Sequence, residues 1–248
     1  MLKEKKIFGL IGKNISYSFS KRFFSKKFIK LNIEKSCEYK NFDINEIKDF
    51  KAITKNFNIH GLNVTIPYKE DIIKYLNEID VHASNIGAVN TIKIDSKGSL
   101  KGFNTDYTGF MSSIKKNLND GHKKALILGT GGASKAIVYG LEKLQIQTTL
   151  VSRSKTKAYI TYEKINSHVM NDHQIIINCT PLGTSPNINQ CPKIPYNYIN
   201  DDHLCFDLIY NPELSQFLKN SKENNARIVN GIEMLEEQAE ESWKIWNS

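Results

Sequence analysis

Apolar and polar positions alternate in short blocks along the whole chain, and the blocks switch between two periodicities. Continuous apolar runs predict strands in "IFGLIG" (7–12) and "KALILG" (124–129), and a further strand is predicted in "IHGLNVTI" (59–66, ending at Pro67). Helical spacing appears in "SFSKRFFSKKFIKLNI" (18–33), which carries Phe19, Phe23, Phe24, Phe28 and Leu31. Because strand-like and helix-like blocks alternate from end to end, the pattern predicts the α/β class.

The first half adds further elements of both kinds. "CEYKNFDI" (37–44) predicts a strand, "INEIKDFKAITKN" (44–56) a helix, and a short helix is expected from Lys69. A turn is predicted at 85–87, then strand "AVNTIKI" (88–94) with a hairpin turn at "SKG" (96–98). An apolar helix begins after a polar loop near Thr105, and this change predicts a boundary between two lobes.

The second half reads as a parallel sheet with crossover helices. After 124–129 come a glycine-rich turn and a helix from about Ala133, followed by strands "TTLVSR" (148–153), "QIIINCT" (174–180), "LCFDLIY" (204–210) and "ARIVNG" (226–231). Unbroken apolar runs are typical of parallel strands covered on both faces. A final helix is predicted from about Ile232 to Trp246, carrying Met234, Leu235, Gln238, Trp243 and Trp246.

Charge and cysteine content narrow the function classes. The 248 residues carry a formal charge of +8, but the basic residues are dispersed, whereas a nucleic-acid surface is usually denser. The charge is therefore interpreted as a solubilising surface that also suits an anionic ligand. Cysteine and histidine spacings match no metal motif, which predicts no metal and a reduced cytoplasmic compartment. The first apolar run, Ile7 to Ile11, is too short for a signal peptide or a membrane span.

"LGTGGAS" (128–134) places a glycine-rich turn between a strand and a helix. Gly129 and Gly131 match the first two positions of G-x-G-x-x-G, while Ser134 stands where glycine or alanine is usual. In this context backbone N–H groups at the helix N-terminus can bind a pyrophosphate, which favours a dinucleotide site over a plain tight turn.

The end of the following strand indicates which dinucleotide. An NAD site offers an acid about 20 residues after the glycines, to bind the ribose 2′-hydroxyl. This chain instead has Ser152, Arg153, Ser154 and Lys157 there. A guanidinium suits a 2′-phosphate, so NADP is favoured over NAD, with a plain surface arginine as the alternative.

With these residues, the chain resembles the shikimate dehydrogenase family. Similar motifs in the family's order are "GKNISYSFSK" (12–21), "NVTIPYK" (63–69), "GAVNT" (87–91), "FNTD" (103–106), "INCTPLGT" (177–184), "DLIYNP" (207–212) and "NGIEMLEEQA" (230–239). The chain departs from the usual family residues at Tyr17, Lys21 and Glu233.

The resemblance implies an architecture and a reaction. It implies a substrate-binding catalytic lobe of residues 1–104, completed by the C-terminal helix 232–248, a Rossmann-type NADP-binding lobe of residues 105–231, and an active site in the cleft between them. The implied reaction is the reversible NADPH-dependent reduction of 3-dehydroshikimate to shikimate in aromatic amino-acid (chorismate) biosynthesis. Lys69 and Asp106 are the implied proton-transfer pair; a lysine beside a carboxylate can serve as a general acid.

The resemblance also implies the remaining site residues. Those expected to bind substrate are Ser18, Ser20, Thr65, Asn90, Tyr210 and Gln238. Those expected to bind NADP are Gly129, Thr130, Gly131, Gly132, Ala133, Ser152, Arg153, Ser154, Lys157, Thr180, Leu208 and Gly231. From the residues alone, structural roles stay open: the two serines as helix N-caps, Asn90 as a turn residue, Tyr210 as core and Gln238 as an exposed helical position.

Other functions remain possible from the sequence. A quinate/shikimate dehydrogenase with relaxed NAD/NADP use is the nearest alternative, and Arg153 argues against a preference for NAD. A folate-linked or tRNA-linked reductase lacks the Ser-x-Ser and "NVTIPYK" signals. Intact Lys69 and Asp106 argue against a non-catalytic NADP-sensing paralogue. The expected partner is a small-molecule substrate, with neither nucleic acid nor membrane, and the protein is expected to be a monomer or a homodimer.

Overall fold

The computed structural model describes residues 5–16, 18–154 and 160–248, so the predictions on Tyr17 and Lys157 lie outside the described residues. By its contacts the chain divides into two compact units, one reaching up to Thr105 and including Ala239–Ser248, the other spanning Asp106–Gln238.

The strands are β1 (Lys6–Gly12), β2 (Cys37–Asp43), β3 (Ile59–Val64), β4 (Glu78–Ile79), β5 (Thr91–Ile94), β6 (Leu100–Phe103), β7 (Lys124–Leu128), β8 (Gln147–Ser152), β9 (Ile160–Thr161), β10 (Ile175–Asn178), β11 (Leu204–Asp207) and β12 (Arg227–Val229). The helices are α1 (Phe19–Lys30), α2 (Phe50–Asn56), α3 (Val81–Ile86), α4 (Asp106–Lys115), α5 (Gly132–Lys143), α6 (Ser167–Asp172), α7 (Gln216–Glu223) and α8 (Ile232–Asn247).

The unit spanning Asp106–Gln238 is built on a six-stranded sheet in the order β12-β11-β10-β7-β8-β9. Every neighbouring pair in it is parallel, which confirms the prediction from the unbroken apolar runs. Numbered within the unit, the strand order is that of the doubly wound nucleotide-binding fold, which reverses direction at its first strand, here β7.

Both faces of this parallel sheet are covered. Alternate residues of β7 enter different cores: Ala125 and Ile127 pack with α4 and α5, whereas Leu126 and Leu128 pack with α6 and α7. All four side chains are fully buried. An apolar residue is therefore required at each position from Ala125 to Leu128, which explains why this part of β7 lacks the polar alternation of a half-exposed strand.

The other unit contains a mixed sheet in the order β2-β1-β3-β5-β6-β4. β1 lies between β2 and β3 and runs parallel to both, whereas β5 pairs antiparallel with β3 and β6. The β5–β6 pairing confirms the hairpin predicted at residues 96–98. Phe24 and Phe28 of α1 are buried on one face of this sheet, but Leu31 lies beyond the helix end and is 44% exposed.

The end of α8 completes the core on that face. Trp246 packs against Phe8 and Phe24, with ring centroids 5.1 Å apart in each case, and its Nε1 donates to the Ile92 carbonyl oxygen over 3.0 Å. A Cβ at Gly61 would lie only 2.4 Å from the Trp246 ring, so β3 needs a glycine under the indole. The C-terminal residues are therefore an integral part of this unit.

Several predicted boundaries differ from the structure. β3 ends at Val64, two residues before the predicted end, and the helix expected from Lys69 is a 3₁₀ segment, Asp71–Tyr75. The turn predicted at 85–87 is the end of α3, where Gly87 takes a left-handed conformation (φ 70°) as the C-terminal cap. Among the described residues, no helix is long and apolar enough to cross a membrane.

Replacing Trp246 with alanine should lower the free energy of unfolding by about 3–5 kcal/mol, because a packed aromatic ring is lost and a cavity is left. Urea denaturation followed by far-UV circular dichroism measures this change. Leu31→Ala, in the same unit but at an exposed position, serves as the control and should cost less than about 1 kcal/mol. Equal losses in the two variants would contradict the packing role of the indole.

Candidate functional site

Several predicted site residues come together at the carboxyl edge of β1 and β3. The Thr65 N–H donates to the Ile11 carbonyl oxygen (2.9 Å), and the Val64 N–H donates to the Asn90 carbonyl oxygen (2.8 Å). The Val89 N–H donates to the Lys69 carbonyl oxygen (2.8 Å). These backbone bonds hold Thr65, Lys69 and Asn90 in neighbouring segments of one edge, although they are up to 25 positions apart in sequence.

The two serines of the first motif have different surroundings at the start of α1. Ser18 is the N-cap of α1, and its Oγ accepts a long hydrogen bond from the Lys21 N–H (3.5 Å). The helix-capping role that the sequence left open for Ser18 is therefore observed. Ser20 lies in the first helical turn, and its side chain shares a hydrogen bond with the Tyr39 hydroxyl. Burial raises the pKa of Tyr39 far above its usual value. The phenol therefore stays protonated and available as a donor.

A buried polar network continues from that tyrosine through the unit that reaches up to Thr105 and includes Ala239–Ser248. The Tyr39 hydroxyl donates to Asn63 Oδ1 (2.8 Å), and Asn63 Nδ2 donates to Ser242 Oγ (2.9 Å) on α8. Thr91 Oγ1 lies 2.8 Å from Ser242 Oγ and 3.3 Å from Thr105 Oγ1. Since all five side chains are buried, each polar group finds its partner inside the network rather than in water.

This network sets the orientation of the Asn90 amide. Asn90 Oδ1 accepts from the Thr105 N–H (2.7 Å) and from the Thr91 hydroxyl (3.1 Å), while its Nδ2 donates to Thr105 Oγ1 (3.0 Å). Asn90 is 3% exposed, so it is a buried hydrogen-bonding residue rather than a turn residue. The sequence pattern indicated Asn90 but not Asn63 and Ser242, which belong to the same network through a contact between distant segments.

The remaining catalytic and substrate candidates occupy defined positions. Lys69 is half-buried in the segment after β3, and Asp106 is the first residue of α4 and 7% exposed. A carboxylate at a helix N-terminus is favoured by the helix dipole. Tyr210 is half-buried after β11, and Gln238 is 7% exposed, which excludes the exposed helical position that its sequence left open.

The glycine loop has the backbone geometry of an anion site. Gly129 has a φ of +106°, and a Cβ there would lie 3.1 Å from Thr180 Cγ2. Space around Gly131 is open, since a Cβ there would meet nothing within 4 Å. No side chain caps the N-terminus of α5, which leaves its first N–H groups directed at the open side of the loop. Ser134 is accommodated because its hydroxyl donates back to the Gly131 carbonyl oxygen (2.7 Å).

Three further cofactor candidates lie at the carboxyl ends of β10, β11 and β12. The Cys179 N–H donates to the Leu128 carbonyl oxygen (2.9 Å), which sets Thr180 beside Gly129. A Cβ at Gly231 would lie 2.2 Å from the Leu208 carbonyl oxygen, so only glycine permits this approach. Of the remaining candidates, Thr130 lies in the glycine loop, and Gly132 and Ala133 are the first residues of α5.

The candidate 2′-phosphate residues follow β8. Ser152 is the last residue of that strand, and its Oγ accepts from the Ser154 N–H (3.3 Å). Arg153 is exposed, and its positive charge slightly opposes the burial that raises the pKa of Tyr162 to about 12. At Glu233, a departure from the family motif, the side chain pairs with Lys116 within the same unit.

Asp207, a buried carboxylate that is absent from the site residues expected from the sequence, lies at the carboxyl end of β11. Asp207 is fully buried and accepts hydrogen bonds from Asn178 Nδ2 (3.0 Å), the Ile209 N–H (3.0 Å) and Ser215 Oγ (2.5 Å). Burial raises its pKa to about 6, although these donors oppose the shift. The available signal was an acid at the end of an apolar strand, "LCFD".

The chain is similar to known proteins over nearly its full length. A family model described as the shikimate dehydrogenase substrate binding domain matches residues 10–92. A relative named shikimate dehydrogenase (NADP(+)), from Clostridium botulinum, is 40% identical over 248 residues, which covers 96% of this chain and 95% of the relative.

Solved structures give the same result. Shikimate dehydrogenase 1 from Peptoclostridium difficile is 39% identical with a TM-score of 0.85, covering 98% of this chain and 91% of that one. Shikimate 5-dehydrogenase from Thermus thermophilus, solved in complex with NADP(H) and shikimate, is 25% identical with a TM-score of 0.84, covering 97% and 93%.

Asp207→Asn should change how stability depends on pH. Because the pKa of Asp207 is raised from 3.8 to about 6, its proton stabilises the folded protein fully below about pH 4, and this contribution is lost as the pH rises through about 6. When the pH is lowered from about 7.5 to about 4.5, the free energy of unfolding of the parent should rise by about 2 kcal/mol relative to that of the asparagine variant. Denaturant titrations at both pH values measure the difference.

The control is Asp201→Asn, which removes one negative charge from an exposed position in the same unit. Its free energy of unfolding should stay parallel to that of the parent across this range. A parallel profile for Asp207→Asn as well would show that the buried carboxyl does not titrate as stated.

Proposed function

Because the chain belongs to the shikimate dehydrogenase family, we propose that it catalyses the reversible NADP-dependent reduction of 3-dehydroshikimate to shikimate. The observation that carries the proposal is that the chain matches such enzymes over nearly its full length. The neighbouring positions of Thr65, Lys69 and Asn90 at one sheet edge support it. This reaction would place the protein in aromatic amino-acid biosynthesis.

The substrate carboxylate is assigned to Ser18, Ser20 and Tyr210, whose hydroxyls can donate to it. The ring hydroxyls are assigned to Thr65, Asn90 and Gln238. A polyol acid is discriminated well by such groups, because a missing hydroxyl leaves a buried partner unpaired. The network that holds the Asn90 amide supports this assignment, since it orients a donor and an acceptor before substrate arrives.

The residues of the second unit fit a dinucleotide with a 2′-phosphate. The open space at Gly131 and the uncapped start of α5 suit a pyrophosphate, and Arg153 with Ser152 and Ser154 suits a 2′-phosphate. Thr130, Gly132, Ala133, Lys157, Thr180, Leu208 and Gly231 complete the proposed set. NADP, when bound, supplies or accepts the hydride of this reaction.

Lys69 is the proposed proton donor in the reductive direction. When the C3 carbonyl carbon of the substrate gains a hydride, its oxygen must gain a proton, and a lysine ammonium beside it can donate one. In the oxidative direction the same amine accepts the proton from the C3 hydroxyl. Asp106 is assigned to orient and charge-stabilise this ammonium, which its burial at the start of α4 supports.

A spectrophotometric assay of shikimate and quinate, each with NADP⁺ and NAD⁺, tests the function. Shikimate with NADP⁺ should give the highest kcat/KM, because quinate adds a hydroxyl at C1 of a saturated ring that must fit beside the Ser18 and Ser20 hydroxyls. Equal or faster turnover of quinate would favour the quinate/shikimate alternative. Absence of turnover with tight NADP⁺ binding would favour a non-catalytic role.

Lys69→Ala should lower kcat by about 10²- to 10⁴-fold, the range for loss of a general acid or base, with a smaller change in KM for shikimate. Asp106→Asn should lower kcat as well, and the double variant should be little worse than the worse single one. Lys74→Ala, an exposed lysine five positions along, is the control and should keep parental kcat. If Lys69→Ala raises only KM, Lys69 binds substrate rather than transferring the proton.

Arg153→Ala should raise KM for NADP⁺ by about 10- to 150-fold, because a charge-assisted contact with the 2′-phosphate is worth roughly 1.5–3 kcal/mol. KM for NAD⁺ should stay nearly unchanged, since NAD⁺ lacks that phosphate. Arg227→Ala, at the opposite end of the same sheet, is the matched control and should leave both values as in the parent. A loss of equal size for both cofactors would mean that Arg153 does not recognise the phosphate.

A further inference from the structure

A buried carboxylate, that of Asp207, lies where the loops after β10, β11 and β12 meet, and the proposed reaction does not use it. We propose that Asp207 is a positioning residue that holds these three loops in the arrangement that the nicotinamide half of NADP requires. The proposal rests on the proposed function for the identity of the cofactor.

The loop after β10 is tied to Asp207 through one amide. Asn178 Nδ2 donates to Asp207 Oδ1 (3.0 Å), and Asn178 Oδ1 accepts from both the N–H (3.0 Å) and the hydroxyl (2.7 Å) of Thr180. An amide bonded at both ends cannot rotate without losing a partner in a buried site. The Asp207 carboxylate therefore sets the position of Thr180 indirectly, through the Asn178 amide that bonds to both residues.

The loops after β11 and β12 are tied to the same oxygen. The Ile209 N–H donates to Asp207 Oδ1 (3.0 Å), and the Gly231 N–H donates to the Ile209 carbonyl oxygen (3.1 Å). Gly231 in turn lies against the Leu208 carbonyl group, too close for any side chain. One carboxylate oxygen thus connects the segments that carry Thr180, Leu208 and Gly231.

The second oxygen anchors the group to the body of the unit. Ser215 Oγ donates to Asp207 Oδ2 (2.5 Å) and accepts from the Leu218 N–H (3.3 Å) as the N-cap of α7. Burial opposes ionisation of this carboxyl, as its raised pKa shows. A buried charge is weak evidence for stability but a good means of fixing geometry, because its donors have few alternative arrangements.

The position of these loops indicates which half of the cofactor they serve. In a doubly wound sheet the glycine loop after the first strand binds the pyrophosphate, and the second strand leads to the adenosine ribose. These places correspond to β7 with Gly129 and to β8 with Arg153. Thr180, Leu208 and Gly231 lie on the other side of β7, in the second mononucleotide half. Loss of Asp207 should therefore weaken NADP⁺ but not a ligand that lacks the nicotinamide half.

The test compares dissociation constants of NADP⁺ and adenosine 2′,5′-bisphosphate, measured by calorimetry on the full chain. Asp207→Ala should weaken NADP⁺ by about tenfold or more, the equivalent of one charge-assisted hydrogen bond, and leave the bisphosphate within about twofold. Asp207→Asn keeps the Oδ1 acceptor and should stay within about threefold for both ligands. Asn178→Ala removes the amide that links Asp207 to Thr180 but leaves the bond from the Ile209 N–H to Asp207, so it should show a smaller selective loss.

Ser221→Ala is the structural control, since its buried hydroxyl donates within α7 to the Phe217 carbonyl oxygen (2.9 Å), away from these loops. It should lower thermal stability without changing the ratio of the two dissociation constants. The positioning role would be overturned if Asp207→Ala weakened the binding of both ligands equally or left the affinity for NADP⁺ unchanged. If Asp207→Ala does not fold, the same two outcomes are decided with Asn178→Ala. A parent protein that binds neither ligand would instead refute the proposed function.

Discussion

The register between β7 and β10 is the constraint on which the candidate cofactor site depends. The two strands pair in parallel with Leu128 opposite Asn178, so both end at the same edge of the sheet. The next residues, Gly129 and Cys179, then lie side by side, and Thr180 is so close that a Cβ at Gly129 would lie 3.1 Å from its Cγ2. A shift of one residue in this register would turn each buried side chain to the other face and separate the glycine loop from Thr180.

In the unit that reaches up to Thr105 and includes Ala239–Ser248, buried polar side chains must find hydrogen-bond partners inside the protein. Asn63, Thr91 and Ser242 satisfy one another's hydrogen bonds and thereby hold Asn90 in one orientation. A fully satisfied network of this kind is rigid, whereas an incomplete one costs stability. Because Ser242 belongs to the last helix, the C-terminal residues contribute to the polar interior as well as to the aromatic core around Trp246.

Departures from the expected motifs are accommodated locally. Ser134 stands where glycine or alanine is usual, and its hydroxyl donates to the carbonyl oxygen of Gly131, which leaves the helix start uncapped. Glu233, another departure from the usual family residues, lies in the first turn of α8, where the helix dipole favours its charge and Lys116 pairs with it. Each replacement therefore has a polar partner within its own unit.

The sequence alone determined the α/β class and the parallel sheet of the second half, because the unbroken apolar runs "ALIL" (125–128) and "III" (175–177) are typical of strands that are covered on both faces. It also identified the glycine loop, since glycine at Gly129 is demanded locally by a positive φ. The sequence predicts element boundaries less accurately. It predicts only a turn at residues 85–87, where the structure has the end of α3, because a helix of six residues carries too little periodicity. Only the tertiary structure decided that Asp207 joins three loops and that Ser242 reaches Asn63, 179 positions away. Such contacts depend on how strands are ordered in a sheet, and strand order leaves no periodic trace in the chain.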